Sequence, residues 1–251
     1  MNLNMLKEER QAFIIKQINL HNKVLSSDLS VQLTVSEDTI RRDLNELAES
    51  GKILKVHGGA LSKSFHYPFE KTEFYAKEAK KEIARKALRL IQDDMILLIG
   101  GGTTMIEVAR MVPDNLNCTF FTVSPLVALE LAERSNTNVM LIGGQLSKSS
   151  HINFGAQVIN QLSEIRVDLC LLGANAISLE DGITDSDWEV VQVKKAMIKS
   201  AQKTAIISIA EKLNSVQKMK VCNLNAIHYL VTDRKPGDEV LKEYARTVNV
   251  L

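Results

Sequence analysis

Two rhythms of apolar and polar positions run along the chain, and they change near residue 62. In residues 1–61 the apolar positions recur at helical spacing in short stretches. LKEERQAFIIKQINLHN places Phe13, Ile14 and Ile18 on one helix face. SSDLSVQL predicts a short second helix capped by Ser26 or Ser27, and Thr34-Val35 a tight turn. SEDTIRRDLNELAESG predicts a third helix with Ser36 as N-cap, Ile40, Leu44 and Leu47 as its buried stripe and Gly51 as its stop. KILKVHGGALS then alternates, turns at Gly58-Gly59 and alternates again, which predicts a hairpin.

From about residue 77 the rhythm alternates between types. KEAKKEIARKALRLI carries Ile83, Ala87, Leu90 and Ile91 at helical spacing; MILLI is a short continuous apolar run, hence a buried strand. TTMIEVARMV is a helix that stops at Pro113, TFFTV a strand, and Ser124-Pro125 an N-cap and first helical residue opening PLVALELAER. VMLIG, VDLCLLG, TAIISI and HYLVT are further strands, and DSDWEVVQVKKAMIKSA is a long helix with acids in its first turn. Strands alternating with helices predict an α/β domain with a mostly parallel sheet, whose ligands sit beyond the C-terminal ends of the strands. Glycines cluster at those ends: Gly100-Gly101-Gly102, Gly143-Gly144 and Gly173. The expected organisation is a helical head at 1–61, a linker at 62–76 around Pro68, and a larger α/β domain at 77–251.

Composition narrows the classes. The chain has 251 residues, 45% hydrophobic and 24% charged, as in ordinary globular proteins. The longest apolar run, Met95 to Ile99, is far short of a bilayer span, and MNLNMLKEER lacks the order of a secretory signal, so no membrane partner is expected. Three scattered cysteines (Cys118, Cys170, Cys222) read as reduced core residues of a cytoplasmic protein. Five scattered histidines show no metal-ligand spacing, so neither a metal nor a cofactor is expected. The net charge of +1 conceals an uneven distribution: residues 1–61 are neutral, 62–90 carry +4 and 91–251 carry −3. Neutrality is therefore no argument against DNA, and it predicts modest non-specific affinity with occupancy resting on base contacts.

Three helices and a hairpin describe a winged helix-turn-helix, whose third helix enters the major groove by its N-terminal exposed residues. These are Ser36, Glu37, Asp38, Thr39, Arg41 and Arg42; Lys55 and His57 on the hairpin would reach the backbone or minor groove. Arginine suits guanine or phosphate because its planar fork donates two hydrogen bonds at once. The i,i+4 spacing of Glu37–Arg41 and Asp38–Arg42 suits plain surface ion pairs equally well.

In the second domain, GGGTTMIEVA is a glycine-rich loop between a strand and a helix. Loop amides and the positive helix end make an anion site, to which Thr103 and Thr104 add hydroxyls. The loop lacks a P-loop lysine and the G-x-G-x-x-G spacing, so a monophosphate ester fits better than a nucleotide. Ser124 would donate to phosphate or merely cap its helix. Glu189 would accept from sugar hydroxyls or complement the helix dipole, and Lys194, Lys195 and Lys212 are candidate cations.

TVSEDTIRRDLNELAESGKILKVHGGA closely resembles the signature of the DeoR family of bacterial transcriptional regulators, on Val35, Ser36, Thr39 to Leu44, Gly51 and Lys55 to Ala60. The remainder resembles that family's sensor domain through Lys80/Lys81-x-Ile-Ala, Gly101 to Thr104, Leu141 to Gly144, Gly173-Ala174, Gly182 to Thr184, and Glu189 followed by Lys194 or Lys195. The resemblance implies the fold of ribose-5-phosphate isomerases and CoA transferases. It also implies an effector site including Gly101, Gly102, Thr103, Thr104, Ser124, Gly143, Gly173, Glu189, Lys194 and Lys212. A phosphorylated sugar or related metabolite would release a homo-oligomer, dimer or tetramer, from double-stranded operator DNA of a carbohydrate operon. Two positions depart from the family pattern: Val123 replaces an asparagine, and Ile209 an aspartate. The alternative is a sugar-phosphate isomerase with an added DNA-binding head. Against it, the isomerases' Asp-Gly-Ala-Asp acids are replaced in Leu172-Gly173-Ala174-Asn175 by groups that cannot act as general bases.

Overall fold

The computed structural model describes residues 5–62 and 75–251 and divides into two compact units, 1–75 and 76–251. Most of the expected linker, 63–74, lies outside the described residues.

In the first unit, α1 (Lys7–His21), α2 (Ser26–Leu33) and α3 (Glu37–Glu49) surround one core, and β2 (Ile53–Val56) and β3 (Gly59–Ser62) form the hairpin. The core is Ile14, Ile18, Leu29, Ile40, Leu44, Leu47, Ile53 and Ala60, including the stripe read from α3. A short strand that the pattern did not reveal, β1 (Lys23–Leu25), pairs with β3 and completes an antiparallel order β1-β3-β2. Neither Ser26 nor Ser27 caps α2: Ser26 is already its first helical residue, and the capping position is Leu25. Ser36 does cap α3, its hydroxyl accepting from the Thr39 N–H at 3.2 Å. Behind α3, the buried Asp43 carboxylate takes two hydrogen bonds from Arg10 on α1, at 2.5 and 3.2 Å, and a third from Gln11 at 3.3 Å. This clamp fixes the face of α3 that turns inward, and hence the face left outside.

The second unit is built on seven parallel strands: β4 (Ile96–Ile99), β5 (Cys118–Thr122), β6 (Thr137–Leu141), β9 (Val167–Gly173), β12 (Ala201–Ile207), β14 (Tyr229–Val231) and β15 (Asn249–Val250). Their order is β15-β14-β12-β9-β4-β5-β6. From β4 the chain winds outward through α5 (Thr103–Arg110), β5, α6 (Pro125–Ala132) and β6, then returns to β9 and winds the other way. Parallel crossovers that run outward in opposite directions place helices on both faces. They also make the gap between the ends of β4 and β9 a topological switch point, where such sheets bind ligands. The expected mostly parallel α/β class therefore holds.

The helix α4 (Lys77–Leu88) opens this unit and packs on α5; α7 (Ala156–Ser163) packs on α8 (Trp188–Lys199). Two small sheets escaped the sequence pattern. One pairs β7 (Gln145–Leu146) with β8 (Asn153–Phe154); the other has the order β10-β11-β13 from Ala176–Ser178, Gly182–Asp185 and Met219–Cys222. The second corrects an expectation. Asp185 is not a first-turn acid of the long helix but the last residue of β11, buried, while α8 starts at Trp188 under the cap of Asp187.

Candidate functional site

The glycine-rich loop leaves β4 at the switch point. Gly100 donates its N–H to the Leu171 carbonyl of β9 at 2.9 Å, and a Cβ on Gly173 would stand 3.6 Å from the Gly101 carbonyl, so the two strand ends are adjoining. Gly101 is walled by Ile152 and Ser124: an added Cβ would come within 2.4 Å of the Ile152 methyl. Gly102 precedes α5 with φ +108°, a conformation that glycine adopts without strain, and faces open space. The amides of Thr103 and Thr104 thus begin an eight-residue helix at the open side of the loop, where the helix dipole favours an anion. Thr103 is buried and Thr104 partly so.

Three lysines come to this end of the sheet from three different elements. Lys212, on the short helical turn after β12, donates to the Ala174 carbonyl at 3.0 Å, next to Gly173. Lys194, on α8, pairs with the Asp185 carboxylate at 2.8 Å. Lys80, in the first turn of α4, is 7% exposed; its main-chain N–H donates to the Ala76 carbonyl at 3.0 Å, and its ammonium makes no hydrogen bond or ion pair among the described residues. Their charges interact. Burial pushes the Lys212 ammonium down to about 7, helped by Lys80 and Lys194 and opposed by Asp185. Burial also pushes Lys80 down to about 8, against the pull of Glu107. Burial would raise the Asp185 carboxyl, but Lys194, the Ser186 N–H and the Asn175 amide outweigh it and hold it below the usual carboxylate range. Asn175, at the end of the Gly-Ala turn, donates to Asp185 at 3.3 Å and to the Ser186 hydroxyl at 3.4 Å.

Of the residues singled out from sequence, Gly101, Gly102, Thr103, Thr104, Ser124, Gly173, Lys194 and Lys212 gather at this switch point. Ser124 is buried, and its hydroxyl makes no cap bond; it donates to the His151 carbonyl at 3.2 Å, tying the loop before β8 to the glycine wall. Glu189 remains exposed; the carboxylate that reaches the lysines is Asp185. Gly143 lies beyond β6, two strands from β4; its carbonyl accepts from Gln161 at 2.9 Å. Val123 and Ile209, where the family pattern is broken, are both buried. Lys80 and Asp185 were not read as site residues. Lys80 was available as part of a motif, whereas Asp185 was masked by its place in an acidic run.

On the head, the N-terminal half of α3 leaves Ser36, Glu37, Asp38, Arg41 and Arg42 exposed and Thr39 partly so. Arg41 meets both Glu37 and Asp38 at 3.3 Å, so Asp38 turns to Arg41 rather than to the expected Arg42. Exposed pairs of this kind hold an arginine by under about 1 kcal/mol, weakly enough for a phosphate or guanine to take it. Lys55 bonds the Asn45 side chain of α3, and His57 is exposed beside the hairpin turn.

Head and α/β unit together define a DNA-binding regulator carrying a small-molecule sensor. Residues 10–65 match the DeoR-like helix-turn-helix domain and residues 76–234 the DeoR C-terminal sensor domain. The chain is 33% identical over 236 residues to the HTH-type transcriptional repressor GlcR of Bacillus subtilis, covering 93% of this chain and 91% of that one. It is 28% identical over 240 residues to the glycerol-3-phosphate regulon repressor of Escherichia coli, covering 95% of each. The L-fucose operon activator of Escherichia coli is 29% identical over 92% of this chain and 96% of its own. The protein belongs to the DeoR family of helix-turn-helix transcriptional regulators. Among solved structures, a ribose-5-phosphate isomerase in complex with phospho-erythronic acid aligns with TM-score 0.42 at 16% identity, over 55% of each chain. The Pyrococcus horikoshii translation initiation factor eIF-2B aligns with TM-score 0.45 at 12% identity, over 90% of this chain and 88% of that one. Among the described residues no helix is long and apolar enough to cross a membrane, and no group of His, Cys, Asp and Glu could hold a metal.

Proposed function

We propose that the protein is a cytoplasmic repressor of an operon for the use of a sugar or a related polyol phosphate, relieved when a small phosphate ester occupies the sensor. Its oligomer, a dimer or tetramer, grips paired half-sites of operator DNA through α3 and the wing, with Arg41 and Arg42 as principal contacts and Ser36, Glu37, Asp38, Thr39, Lys55 and His57 around them. The effector's phosphate lies on the amides of Gly102, Thr103 and Thr104 with Lys212 beside it, and its hydroxyls face Asp185, Asn175 and Lys194. The observation that carries this reading is the surplus of lysine over carboxylate at the switch point, beside an open helix N-terminus. An anion there neutralises charges that the protein leaves unmatched. The names of two relatives, an L-fucose operon activator and a glycerol-3-phosphate regulon repressor, support the class of effector.

We read the sensor as a binder and not an enzyme. Asp185, which pairs with Lys194, is locked by three donors and held ionised, which makes it a poor proton acceptor. For relief, the effector must bind the DNA-releasing arrangement more tightly than the DNA-bound one. The test is operator affinity by fluorescence anisotropy, titrated with a panel of phosphorylated sugars and their unphosphorylated counterparts. One phosphate ester should weaken DNA binding while its parent sugar does nothing. A phosphate ester that binds the protein yet leaves DNA affinity untouched defeats the proposal.

A further inference from the structure

The two edges of the seven-stranded sheet are finished differently. At one edge β15 is only two residues long; at the other β6 runs for five, Thr137 to Leu141, with no charged residue and no proline. Edge strands are ordinarily blunted by such residues, because their free N–H and C=O groups attract another strand. In a parallel ladder both main-chain groups of a residue point to one side, and the side alternates along the strand. The Ile142 N–H donates to the Thr122 carbonyl at 2.8 Å, so Met140 and Asn138 face β5 with their main chain, whereas Val139 and Leu141 face away from it. Among the described residues nothing bonds the main chain of Val139 or Leu141 on that outer side. The side chains match this openness. Met140 and Leu141 are each 47% exposed, and successive strand residues point to opposite faces, so the edge is apolar on both faces of the sheet. On its face Met140 lies beside its partner on β5, the half-buried Phe121, and Leu146 on β7 is exposed a few residues further on. The charges nearest β6 in the chain are of opposite sign at its two ends. Glu133 ends α6 before it and Lys148 follows β7 after it; both are exposed, and neither has an ion-pair partner among the described residues.

We propose that β6 pairs antiparallel with β6 of a second copy of this chain, joining two sensor sheets into one about a twofold axis at Met140. The occupant of this edge has to be a strand, because only extended backbone answers a row of free N–H and C=O groups. It has to be apolar on both of its faces, and it has to carry charges reversed relative to those of β6. A second β6 running the other way meets all three conditions. Val139 and Leu141 of each copy then exchange main-chain hydrogen bonds with Leu141 and Val139 of the other, and the two Met140 side chains stand directly opposite. The start of one strand lies beside the end of the other, so each Glu133 falls on the side of the second copy's Lys148. Such an interface is isologous: it closes at two chains and leaves no free edge to recruit a third. The pairing rests on the oligomeric reading of the protein and on no ligand of the sensor.

The test is the mass of the full chain in solution, by sedimentation velocity, with circular dichroism to check folding. Met140→Lys sets two ammonium groups opposite each other and Met140→Glu two carboxylates, and like charges directly opposite destabilise a strand pair. Each variant alone should sediment at half the wild-type mass. A one-to-one mixture of the two should return to the wild-type mass, because opposite charges then meet at the axis; a residue that merely stabilised its own sheet would show no such rescue. Leu141→Pro removes one outward N–H while leaving the ladder to β5 in place, so it too should halve the mass, and it decides the matter where a charge variant fails to fold. An oligomeric wild type whose mass no folded variant changes overturns the pairing and leaves the oligomeric reading standing. Folded charge variants that dissociate but do not recover on mixing overturn the pairing at Met140. A wild type that sediments as a single chain overturns both the pairing and the oligomeric reading.

Discussion

The two units treat buried charge in opposite ways. In the head, Asp43 is almost fully buried and is closed off by Arg10 and Gln11, and the Arg10 guanidinium is held more firmly protonated by that same carboxylate. In the sensor, burial drives Lys80 and Lys212 toward neutrality, and the carboxylates that act on them, Glu107 and Asp185, oppose it only in part. A closed buried pair serves architecture: it fixes how α1 and α3 meet, and with it the face that α3 shows to DNA. An open pair of like charges suits an anion. The difference is a way to tell structural from ligand-directed ionic groups before any ligand is seen.

The largest effect should come from opening the closed pair. Asp43→Ala leaves the part-buried Arg10 without its partner; because Arg10 can still reach water, the loss should be up to about 3 kcal/mol, the low end for a broken buried pair. Chemical denaturation should show the head unfolding early while the sensor transition keeps its midpoint. If the head loses under about 1 kcal/mol, Asp43 is not a structural clamp and the contrast collapses. On the outer face of the same helix, Arg41→Ala with Arg42→Ala should leave the head folded but cut operator affinity by about 100-fold or more, as each arginine contributes about 1–3 kcal/mol when it reads a base. Anisotropy and circular dichroism on the same sample separate the two outcomes; retained DNA binding would mean that α3 is not the reading helix.

Asp43 also shows where the sequence stops being readable. The stripe Ile40, Leu44, Leu47 and the Ser36 cap are local signals, spaced by the helix itself, and they placed α3 correctly. The role of Asp43 depends on Arg10, 33 residues away, and no local pattern separates it from an acid facing water. The sensor repeats the lesson. The glycine loop, Thr103, Thr104 and Lys212 were visible because glycine after a strand has a local meaning. Lys80 sits in a run of lysines on an amphipathic helix, and Asp185 in a run of acids before one. The burial of each comes from elements brought in from elsewhere in the chain: α5 behind Lys80, and α8 with Asn175 around Asp185.

Lys80→Met reverses the sign expected in the head. It removes a charge the fold does not match, so the sensor without ligand should gain about 1–3 kcal/mol at pH 7, a buried methionine being of similar length and apolar. The pH profile carries the same sign. The folded Lys80 lies near 8 against an ordinary value of 10.5, so the unfolded chain binds more protons between these limits. Wild-type stability should therefore rise as pH increases from about 8 toward 10.5, with up to about 3 kcal/mol contributed by Lys80, and Lys80→Met should show a smaller rise, the part due to Lys212 remaining. Denaturant midpoints across this range decide it. A variant less stable than wild type at every pH would make Lys80 a structural residue like Asp43.

The smallest effect tests whether the units respond separately. The Ser36 hydroxyl accepts from the Thr39 N–H and lies 2.9 Å from the Thr39 hydroxyl, so Ser36→Ala exposes one orphan donor at the start of α3. Loss of such a cap costs about 1 kcal/mol, whereas Ser36→Gly should cost only a few tenths, because glycine leaves the amide open to water. The head's denaturation midpoint should follow that order, alanine below glycine below serine. Binding of a phosphate ester by the sensor should be the same in all three, because each unit has its own core. A cap variant that altered the sensor's ligand binding would show that the charge site is set by the state of the head, and that the division of labour between a closed and an open pair is not local to each unit.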